Sequence, residues 1–184
     1  MKRIFDVLLS LIMLMMIAPF LAAVAIMIKL DSNGPIFFLQ YRVGRDGRIF
    51  KIIKFRSMIA NAESLGSYMT ATNDARITKL GRFIRRSSID ELPQLINVLA
   101  GDMSLVGPRP DVPAQRAEYT EQEWEIRHRV RPGLTGLAQA TLRSSATSEQ
   151  RKAMDIDYAT NHSIQRDLWI ILLTAKQVLF RGGN

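Results

Sequence analysis

The sequence predicts a mostly helical α+β protein, in which an N-terminal membrane helix precedes one small polar domain. Three observations carry this prediction. Residues 7 to 28 contain no charged side chain, the stretch 36 to 55 has two strand-like runs around an Asp-Gly turn, and later segments repeat apolar residues at helical spacing. A chain of 184 residues can hold one domain with a substantial core. We therefore expect a membrane segment over residues 1 to 30 and a single domain over residues 31 to 184.

The N-terminal apolar segment allows three interpretations: a signal peptide, a single membrane span, or a re-entrant hairpin. A straight helix over the uncharged run spans roughly 33 Å, enough for a bilayer core. The run is long for a signal peptide, and the basic chain after it resists export.

Pro19 bears on the remaining two interpretations, because a proline in a helix interior removes one backbone hydrogen bond. A break there would let the chain bend and return to the side it came from. Lys2, Arg3 and Lys29 flank both ends, and basic flanks tend to stay in the cytosol. A kinked ordinary span remains an alternative, since membrane helices tolerate proline.

Two strands, residues 36 to 43 and 48 to 55, are predicted around the Asp46-Gly47 turn, which is a strong hairpin signal. One face of this hairpin should be strongly positive. Its basic residues are Arg42, Arg45, Arg48, Lys51, Lys54 and Arg56.

Two further helices are predicted to be amphipathic. Residues 76 to 86 alternate apolar and basic side chains at helical spacing, a pattern suited to anionic lipid head groups or to an ordinary solvated surface. Residues 168 to 180 are strongly apolar, and Trp169 suits a membrane interface. That segment also fits a buried core helix.

The composition is strongly basic, with 25 Lys and Arg against 17 Asp and Glu, a net charge of +8 and a pI of about 10.2. Such a balance indicates an anionic partner: nucleic acid, anionic lipid or a phosphate-bearing substrate. The chain has no cysteine and two histidines. Disulfide frameworks, thiolate zinc sites and cysteine nucleophiles are therefore excluded.

An acidic pair, Asp90 and Glu91, stands where a helix is predicted to begin, because apolar residues repeat at helical spacing from Leu92 onward. The helix dipole favours ionised carboxylates there, and such an aspartate can bind a divalent cation or attack phosphorus. A purely structural alternative exists, because Ser88 and Glu91 have the spacing of a capping box.

Two loops rich in glycine and proline present arginines on stiff backbone. Residues 101 to 110 carry Arg109, and residues 127 to 136 carry three arginines, Arg131 among them. Fixed arginines suit phosphate oxygens, which they bind in bidentate fashion. Together with the acidic pair, these loops resemble a site for a pyrophosphate substrate with a metal.

In this combination the chain resembles the bacterial sugar transferases, the monotopic polyprenyl-phosphate phosphoglycosyl transferases, in their minimal form. The resemblance extends from Lys2 to about Phe180. It rests on five motifs taken in order: Lys2-Arg3 before an apolar segment containing a proline, Lys54-Phe55-Arg56-Ser57-Met58, Asp90-Glu91-Leu92-Pro93-Gln94, Gly101-Asp102-Met103-Ser104 with Gly107-Pro108-Arg109-Pro110, and Arg131-Pro132-Gly133 with Thr135-Gly136.

The resemblance implies a re-entrant helix broken at Ala18-Pro19, both ends cytosolic, on the cytoplasmic face of a bacterial inner membrane. It also implies transfer of a phospho-sugar from a UDP-sugar to a polyprenyl phosphate, with release of UMP through a covalent aspartyl intermediate. The expected cofactor is Mg²⁺, and the expected partners are these two substrates and membrane lipid, without nucleic acid.

By the same resemblance, Asp90 is the nucleophile and a magnesium ligand, and Glu91 is its catalytic partner. The residues expected to bind substrate or phosphate are Lys54, Arg56, Arg85, Arg109, Arg131, Gln139 and Arg143. The chain departs from the pattern at two places. Ala18 stands where relatives often have serine, and Thr141-Leu142 stands where they often have Asn-Gly.

Two non-enzymatic classes remain as alternatives. A membrane-tethered protein that binds nucleic acid would interleave aromatic residues with the basic ones for stacking, whereas residues 76 to 86 contain only Phe83. A structural protein of the membrane surface would lose no more than a helix cap when Asp90 is replaced by asparagine.

Overall fold

The structure consists of one long apolar helix and a small α+β body built against it. It is a computed structural model that describes residues 2–65, 74–142 and 146–181. The helices are α1 (Lys2–Asp31), α2 (Lys79–Arg86), α3 (Gln94–Ala100), α4 (Glu121–His128), α5 (Leu137–Thr141), α6 (Ser148–Thr160) and α7 (Ile164–Arg181). The strands are β1 (Phe37–Val43), β2 (Ile49–Phe55), β3 (Ser104–Val106) and β4 (Gly133–Thr135). The mostly helical α+β class predicted from the sequence is confirmed.

Strands β1 and β2 form the predicted antiparallel hairpin, with Phe37 opposite Phe55 and Val43 opposite Ile49. In the turn both Asp46 and Gly47 have positive φ, 57° and 75°. Aspartate tolerates that conformation better than most residues, and glycine adopts it freely. The Asp-Gly pair therefore fixes the turn, and each strand begins within one residue of its predicted start.

The two glycine-rich loops are joined to each other by the short parallel pair β3 and β4, in which Ser104 lies opposite Gly133. The backbones approach so closely that a Cβ on Gly133 would lie 2.1 Å from the amide nitrogen of Gly107. Only glycine fits there. This pairing holds the Arg109 loop beside the core.

The main core lies between β2, α3, β3, α6 and α7. Its largest fully buried side chains include Ile52, Leu95, Met103, Tyr158 and Ile170. Asn97 of α3 ties the hairpin to this core, because its side chain accepts from the amide of Ile53 at 2.9 Å and donates to the carbonyl of Lys51 at 2.8 Å. The hairpin and α3 thus form one rigid support.

Helix α1 is helical over its whole length, Ala18 and Pro19 included, and the expected break at these two residues stays a prediction. A proline removes one hydrogen bond and crowds the preceding turn, and a long helix can absorb both through bending without losing its helical assignment. Both residues are exposed. The re-entrant topology itself stays a prediction.

The N-terminal end of α1 is attached to the body by polar contacts. Lys2 forms an ion pair with Asp167 at the start of α7 and donates to the carbonyl of Val106 at 3.2 Å. The buried carboxylate of Asp6 accepts from the Ser104 hydroxyl at 2.8 Å and from the Leu105 amide at 3.2 Å.

The C-terminal end of α1 is attached to the same body. Val24 and Ile28 are buried in a second apolar cluster with Phe55 and Ile84. The guanidinium of Arg56 donates to three carbonyls at the end of the helix, those of Ile28, Ser32 and Asn33. Both ends of the apolar helix are therefore held by one body.

The outer face of α1 is exposed and apolar. Helix α1 is the one helix in the described ranges that is long and apolar enough to cross a membrane. Its exposed large side chains are Ile4, Leu8, Leu11, Ile12, Met15, Met16, Phe20, Ile26, Met27 and Leu30.

Helix α2 begins three residues later than the predicted start at residue 76, because the side chain of Thr78 caps it by accepting from the Gly81 amide. Its amphipathic character is as predicted: Ile84 is buried, whereas Phe83 is 61% exposed. The predicted helix over residues 168 to 180 lies within α7, which buries Ile170 and exposes Trp169.

Candidate active site

Asp90 lies in a short 3₁₀ turn, Ile89–Glu91, between α2 and α3. The turn is entered through Ser88, whose φ of 58° is left-handed and whose hydroxyl makes no capping bond. The capping box offered as a structural alternative is therefore absent, and Pro93 rather than Ser88 occupies the cap position of α3. Asp90 is only 8% exposed, and its Oδ1 atom has no hydrogen-bond partner in the described ranges.

Glu91, in contrast, is fully engaged. Its Oε1 atom accepts from Lys54 Nζ at 2.8 Å and from Arg109 Nη2 at 2.7 Å. Its Oε2 atom lies 3.4 Å from Arg109 Nη1. The two neighbouring carboxylates thus differ: Glu91 holds two cations in place, and Asp90 has a buried oxygen without a hydrogen-bond partner in the described ranges.

The electrostatic environments of the two acids differ accordingly. Burial, and then the charge of Glu91, raise the pKa of Asp90 to about 6, against the opposing effects of Lys54, Arg85 and Arg109. Burial alone would also raise the pKa of Glu91, but the cations of Arg109 and Lys54 outweigh it and hold that pKa well below its usual range. Glu91 is therefore ionised at neutral pH, and Asp90 titrates closer to neutrality than an ordinary aspartate.

Four of the residues predicted for the site are brought together with Asp90. Glu91, Lys54 and Arg109 form the ion-paired group described above. Arg85, in the last turn of α2, lies close enough to lower the pKa of Asp90. Three cations thus surround two carboxylates, an excess of positive charge that suits a phosphate group.

Two predicted phosphate-binding arginines make their contacts elsewhere. Arg56 donates to carbonyls at the end of α1, as described above. Arg131 donates from Nε to the carbonyl of Gly101 at 2.8 Å, at the C-terminal end of α3. Because the carbonyls at a helix end attract cations much as an anion does, sequence alone did not separate these arginines from Arg109.

The remaining predicted residues lie outside this group or outside the described residues. Gln139 is on α5, and its buried Oε1 atom has no partner in the described part of the chain. Arg143 falls outside the described residues. Ala18 and Pro19 are internal to α1.

Two further residues near the site, Arg42 and Gln94, were not predicted from the sequence. Both line a small cavity together with Lys54 and Arg109. A signal for each was present: Arg42 belongs to the basic hairpin, and Gln94 follows Asp90 by four residues within the same motif. Neither signal says which way the side chain points.

The backbone of the Arg109 loop is held by a buried arginine, Arg127 of α4. It forms ion pairs with Asp111 and with Asp155 of α6, and its Nη2 atom donates to the backbone carbonyl of Arg109 at 2.8 Å. All three charged side chains are almost completely buried. The position of Arg109 is therefore fixed by packing as well as by its pair with Glu91.

The site can offer a magnesium ion one carboxylate ligand. Mg²⁺ in phosphate-transferring sites is commonly held by one or two carboxylates and by oxygens of the substrate. Asp90 has the free oxygen for this, whereas both oxygens of Glu91 face cations. No group of three or more metal-binding side chains occurs among the described residues, so such an ion would depend on substrate oxygens for the rest of its shell.

This arrangement, an aspartate with an unpaired oxygen among clamped cations and beside an apolar helix, is suited to binding a phosphate group. The chain matches the model of the bacterial sugar transferase family over residues 1–181. It belongs to that family.

Three relatives are similar to nearly the whole of this chain, but this chain covers different shares of their own lengths. The undecaprenyl-phosphate glucose phosphotransferase of Komagataeibacter xylinus is 45% identical over 97% of this chain and 36% of its own length. The exopolysaccharide production protein PSS of Rhizobium leguminosarum bv. phaseoli is 45% identical over 98% of this chain and 96% of its own length. The UDP-glucose:undecaprenyl-phosphate glucose-1-phosphate transferase of Escherichia coli K12 is 41% identical over 98% of this chain and 40% of its own length.

The chain therefore spans well under half the length of the Komagataeibacter and Escherichia proteins, and nearly the whole of the Rhizobium protein.

Proposed function

We propose that this protein transfers a phospho-sugar from a UDP-sugar to a polyprenyl phosphate and releases UMP. The observation that carries the proposal is the buried Asp90, whose carboxylate has a free oxygen beside a Glu91 clamped to Lys54 and Arg109. Relatives named for UDP-glucose and undecaprenyl phosphate support the two substrate classes.

In the first step a carboxylate oxygen of Asp90 attacks the β-phosphorus of the UDP-sugar. The bond from that phosphorus to the bridging oxygen breaks, and its electron pair leaves with UMP. An aspartyl phospho-sugar remains on the enzyme. Arg109, Lys54 and Arg85 supply positive charge where the diphosphate and the carboxylate would otherwise repel each other.

In the second step an oxygen of the polyprenyl phosphate attacks the same phosphorus. The bond to Asp90 breaks, its carboxylate is restored, and polyprenyl-diphosphate-sugar leaves. A covalent intermediate lets a water-soluble donor and a lipid acceptor use one small site in turn. Glu91 has no free oxygen for proton transfer in this arrangement, so its proposed role is to position Lys54 and Arg109.

The proposed cofactor is Mg²⁺, which Asp90 would hold. When bound, it would neutralise charge on the diphosphate and on the departing UMP.

The proposed location is the cytoplasmic face of a bacterial inner membrane, with α1 re-entrant. The attachment of both ends of α1 to one body supports this, because the ends of a perpendicular span would lie on opposite sides of the bilayer. Exposed apolar side chains on neighbouring helices, Phe83 and Trp169 among them, extend the surface that would contact lipid.

The covalent step is tested by the intact mass of the detergent-solubilised protein mixed with Mg²⁺ and a panel of UDP-sugars, without lipid acceptor. We expect a gain of one phospho-sugar mass and release of UMP with at least one donor. In Asp90→Asn we expect the rate of adduct formation to fall at least about 10³-fold. Chelation with EDTA should also abolish the adduct.

Asp46→Asn is the matched control, because it makes the same change at an exposed turn residue and should leave the adduct unchanged. Turnover with polyprenyl phosphate but no adduct from any donor would contradict the covalent step and indicate direct transfer. Neither adduct nor turnover would contradict the enzymatic proposal and favour a structural protein of the membrane surface.

A further inference from the structure

A small cavity adjoins the acidic pair, between the β-hairpin, α3 and the Arg109 loop. Its polar lining consists of Arg42, Lys54, Gln94 and Arg109, and Ile52 lies on its apolar side. Its volume of about 10 Å³ has room for a single water-sized oxygen atom. Lys54 and Arg109 belong both to this cavity and to the Glu91 ion pairs, so the cavity shares two side chains with the proposed reaction site.

Two buried donors at this cavity lack a partner. The Nε2 atom of Gln94 and the Nε atom of Arg42 have no hydrogen-bond acceptor within the described part of the chain. Gln94 is only 2% exposed. Buried polar groups are nearly always hydrogen-bonded in folded proteins, and two such donors at one cavity indicate that an acceptor atom binds there.

The guanidinium of Arg42 is held by two of its five N–H donors, and its Nε–H is buried without a partner in the described part of the chain. Nη1 donates to the carbonyl of Pro110 at 2.9 Å, and Nη2 donates to Gln40 Oε1 at 2.5 Å. These two bonds anchor the planar group between β1 and the Arg109 loop. A ligand at Nε therefore meets a preorganised donor.

The charge at the cavity indicates an anion rather than a neutral acceptor. Three cationic side chains line it, and the carboxylate paired with two of them is that of Glu91. Burial, and then repulsion from Arg109, lower the pKa of Arg42 to about 10. An added anion would relieve that repulsion.

We propose that Arg42 and Gln94 bind a non-bridging phosphate oxygen of a substrate through Arg42 Nε and Gln94 Nε2. The cavity is too small for a sugar ring or a base, and it matches one oxygen. This inference rests on the proposed function for the identity of the phosphate, which comes from the departing nucleotide, from the transferred phospho-sugar or from the polyprenyl phosphate.

The variants Arg42→Lys and Gln94→Met test the proposal. Lysine keeps the charge but lacks the planar guanidinium and its Nε donor, and methionine keeps the volume of glutamine without its amide. Arg48→Lys and Gln122→Met make the same changes at exposed positions and serve as controls. The two half-reactions are timed separately: adduct formation from Mg²⁺ and UDP-sugar, and discharge of the preformed adduct to polyprenyl phosphate.

We expect each site variant to slow at least one half-reaction by about tenfold to a hundredfold, as loss of a hydrogen bond to a charged group does. If only adduct formation is slower, the phosphate bound by Arg42 and Gln94 is that of the departing nucleotide. Slower discharge alone assigns the polyprenyl phosphate, and slowing of both assigns the transferred phosphate. Rates equal to those of the controls in both half-reactions would overturn the proposal and indicate that the cavity binds only water.

A second measurement separates failure of this inference from failure of the proposed function. Inorganic pyrophosphate should raise the melting temperature of the wild-type protein and of the two controls, and by less or not at all in Arg42→Lys and Gln94→Met. This result needs no turnover, so it holds even if no adduct forms. An equal rise in all five proteins would overturn the inference, and melting temperatures without ligand show whether each variant is folded.

Discussion

At the scale of single residues, two adjacent carboxylates have been given opposite environments. Asp90 is buried next to a like charge and keeps a free oxygen, whereas Glu91 lies between two cations. A carboxylate that is less stable as an anion is a better nucleophile and a readier metal ligand. The sequence alone does not distinguish the environment of Asp90 from that of Glu91, whereas the fold gives the two side chains different neighbours.

We expect the rate of adduct formation to fall below about pH 6. The pKa of Asp90 is raised to about 6, the carboxylate is the reactive form, and protonation therefore removes it as pH drops through that value. For an ordinary aspartate the loss would begin near pH 4. The measurement is kcat/KM for adduct formation at limiting Mg²⁺ and UDP-sugar, which reports ionisations of the free enzyme.

The pH profile is interpretable only where the protein stays folded, so the melting temperature should be recorded at every pH used. A rate that is flat down to pH 4.5 in folded protein would contradict the raised pKa of Asp90.

How far the sequence predicts the site depends on what each side chain contacts. Asp90, Glu91 and Arg109, on which motif and chemistry agree, lie together in the structure, and their catalytic roles stay predictions. Arg56 and Arg131 were assigned to phosphate, but both donate to the backbone carbonyls of helix ends. An arginine has the same preference for either target, and only the fold decides which of them is near.

At the scale of elements, the buried ion pairs of Arg127 connect α4, α6 and the Arg109 loop. The guanidinium faces two carboxylates and a backbone carbonyl, with almost no solvent contact. A buried set of ion pairs adds little net stability compared with apolar side chains of similar volume. Removing one partner is nevertheless costly, because the opposite charges remain buried without compensation.

Replacing Arg127 with methionine is expected to lower the free energy of unfolding by about 3–5 kcal/mol, because Asp111 and Asp155 would be left buried without their cation. Denaturant titration in detergent measures this change.

The matched control is Arg45→Met, whose ion pair with Asp46 is about half exposed and should contribute less than about 1 kcal/mol. If the two variants were equally stable, the buried pairs would have no structural role. Arg127→Met should also weaken activity at temperatures where it remains folded, since the Arg109 carbonyl loses its donor.

Elements with strong local signals were predicted closely, and those without were not. The hairpin follows from Asp46-Gly47, and α7 from a long apolar repeat. The parallel pair β3 and β4 has three residues in each strand, too few for a periodic signal. Its partners are far apart in the chain, so only the close approach of Gly107 and Gly133 in the fold reveals why these loops need glycine.

At the scale of the whole molecule, α1 is one wall of the body and is also the proposed membrane segment. Its inner side chains, such as Val24 and Ile28, complete apolar clusters of the body, and its outer side chains are apolar and exposed. An exposed apolar surface of that extent is typical of a membrane or protein interaction site, and the proposed topology assigns it to lipid.

The proposed topology predicts that both ends of α1 lie on the cytoplasmic side. The chain has no cysteine, so single cysteines can be placed without background: one inserted after Met1, Asp31→Cys, and Arg48→Cys on the hairpin as a reference. In intact spheroplasts a membrane-impermeant maleimide should label none of them, and after permeabilisation it should label all three.

Labelling of the cysteine after Met1 in intact spheroplasts, with Asp31→Cys protected, would show a single span and contradict the re-entrant arrangement. Labelling of Arg48→Cys would place the body itself on the wrong side.

The attachment of α1 to distant parts of the chain also sets an order of events during synthesis. The ion-pair partner of Lys2, Asp167, is synthesised 165 residues later. Ser104, which donates to Asp6, is also synthesised long after it. The apolar helix leaves the ribosome before every element that it contacts, and it is therefore available to the bilayer while the rest of the chain is still being made. Under the proposed topology the body then assembles against a helix already in lipid, and the final folding steps of this protein take place at the membrane surface.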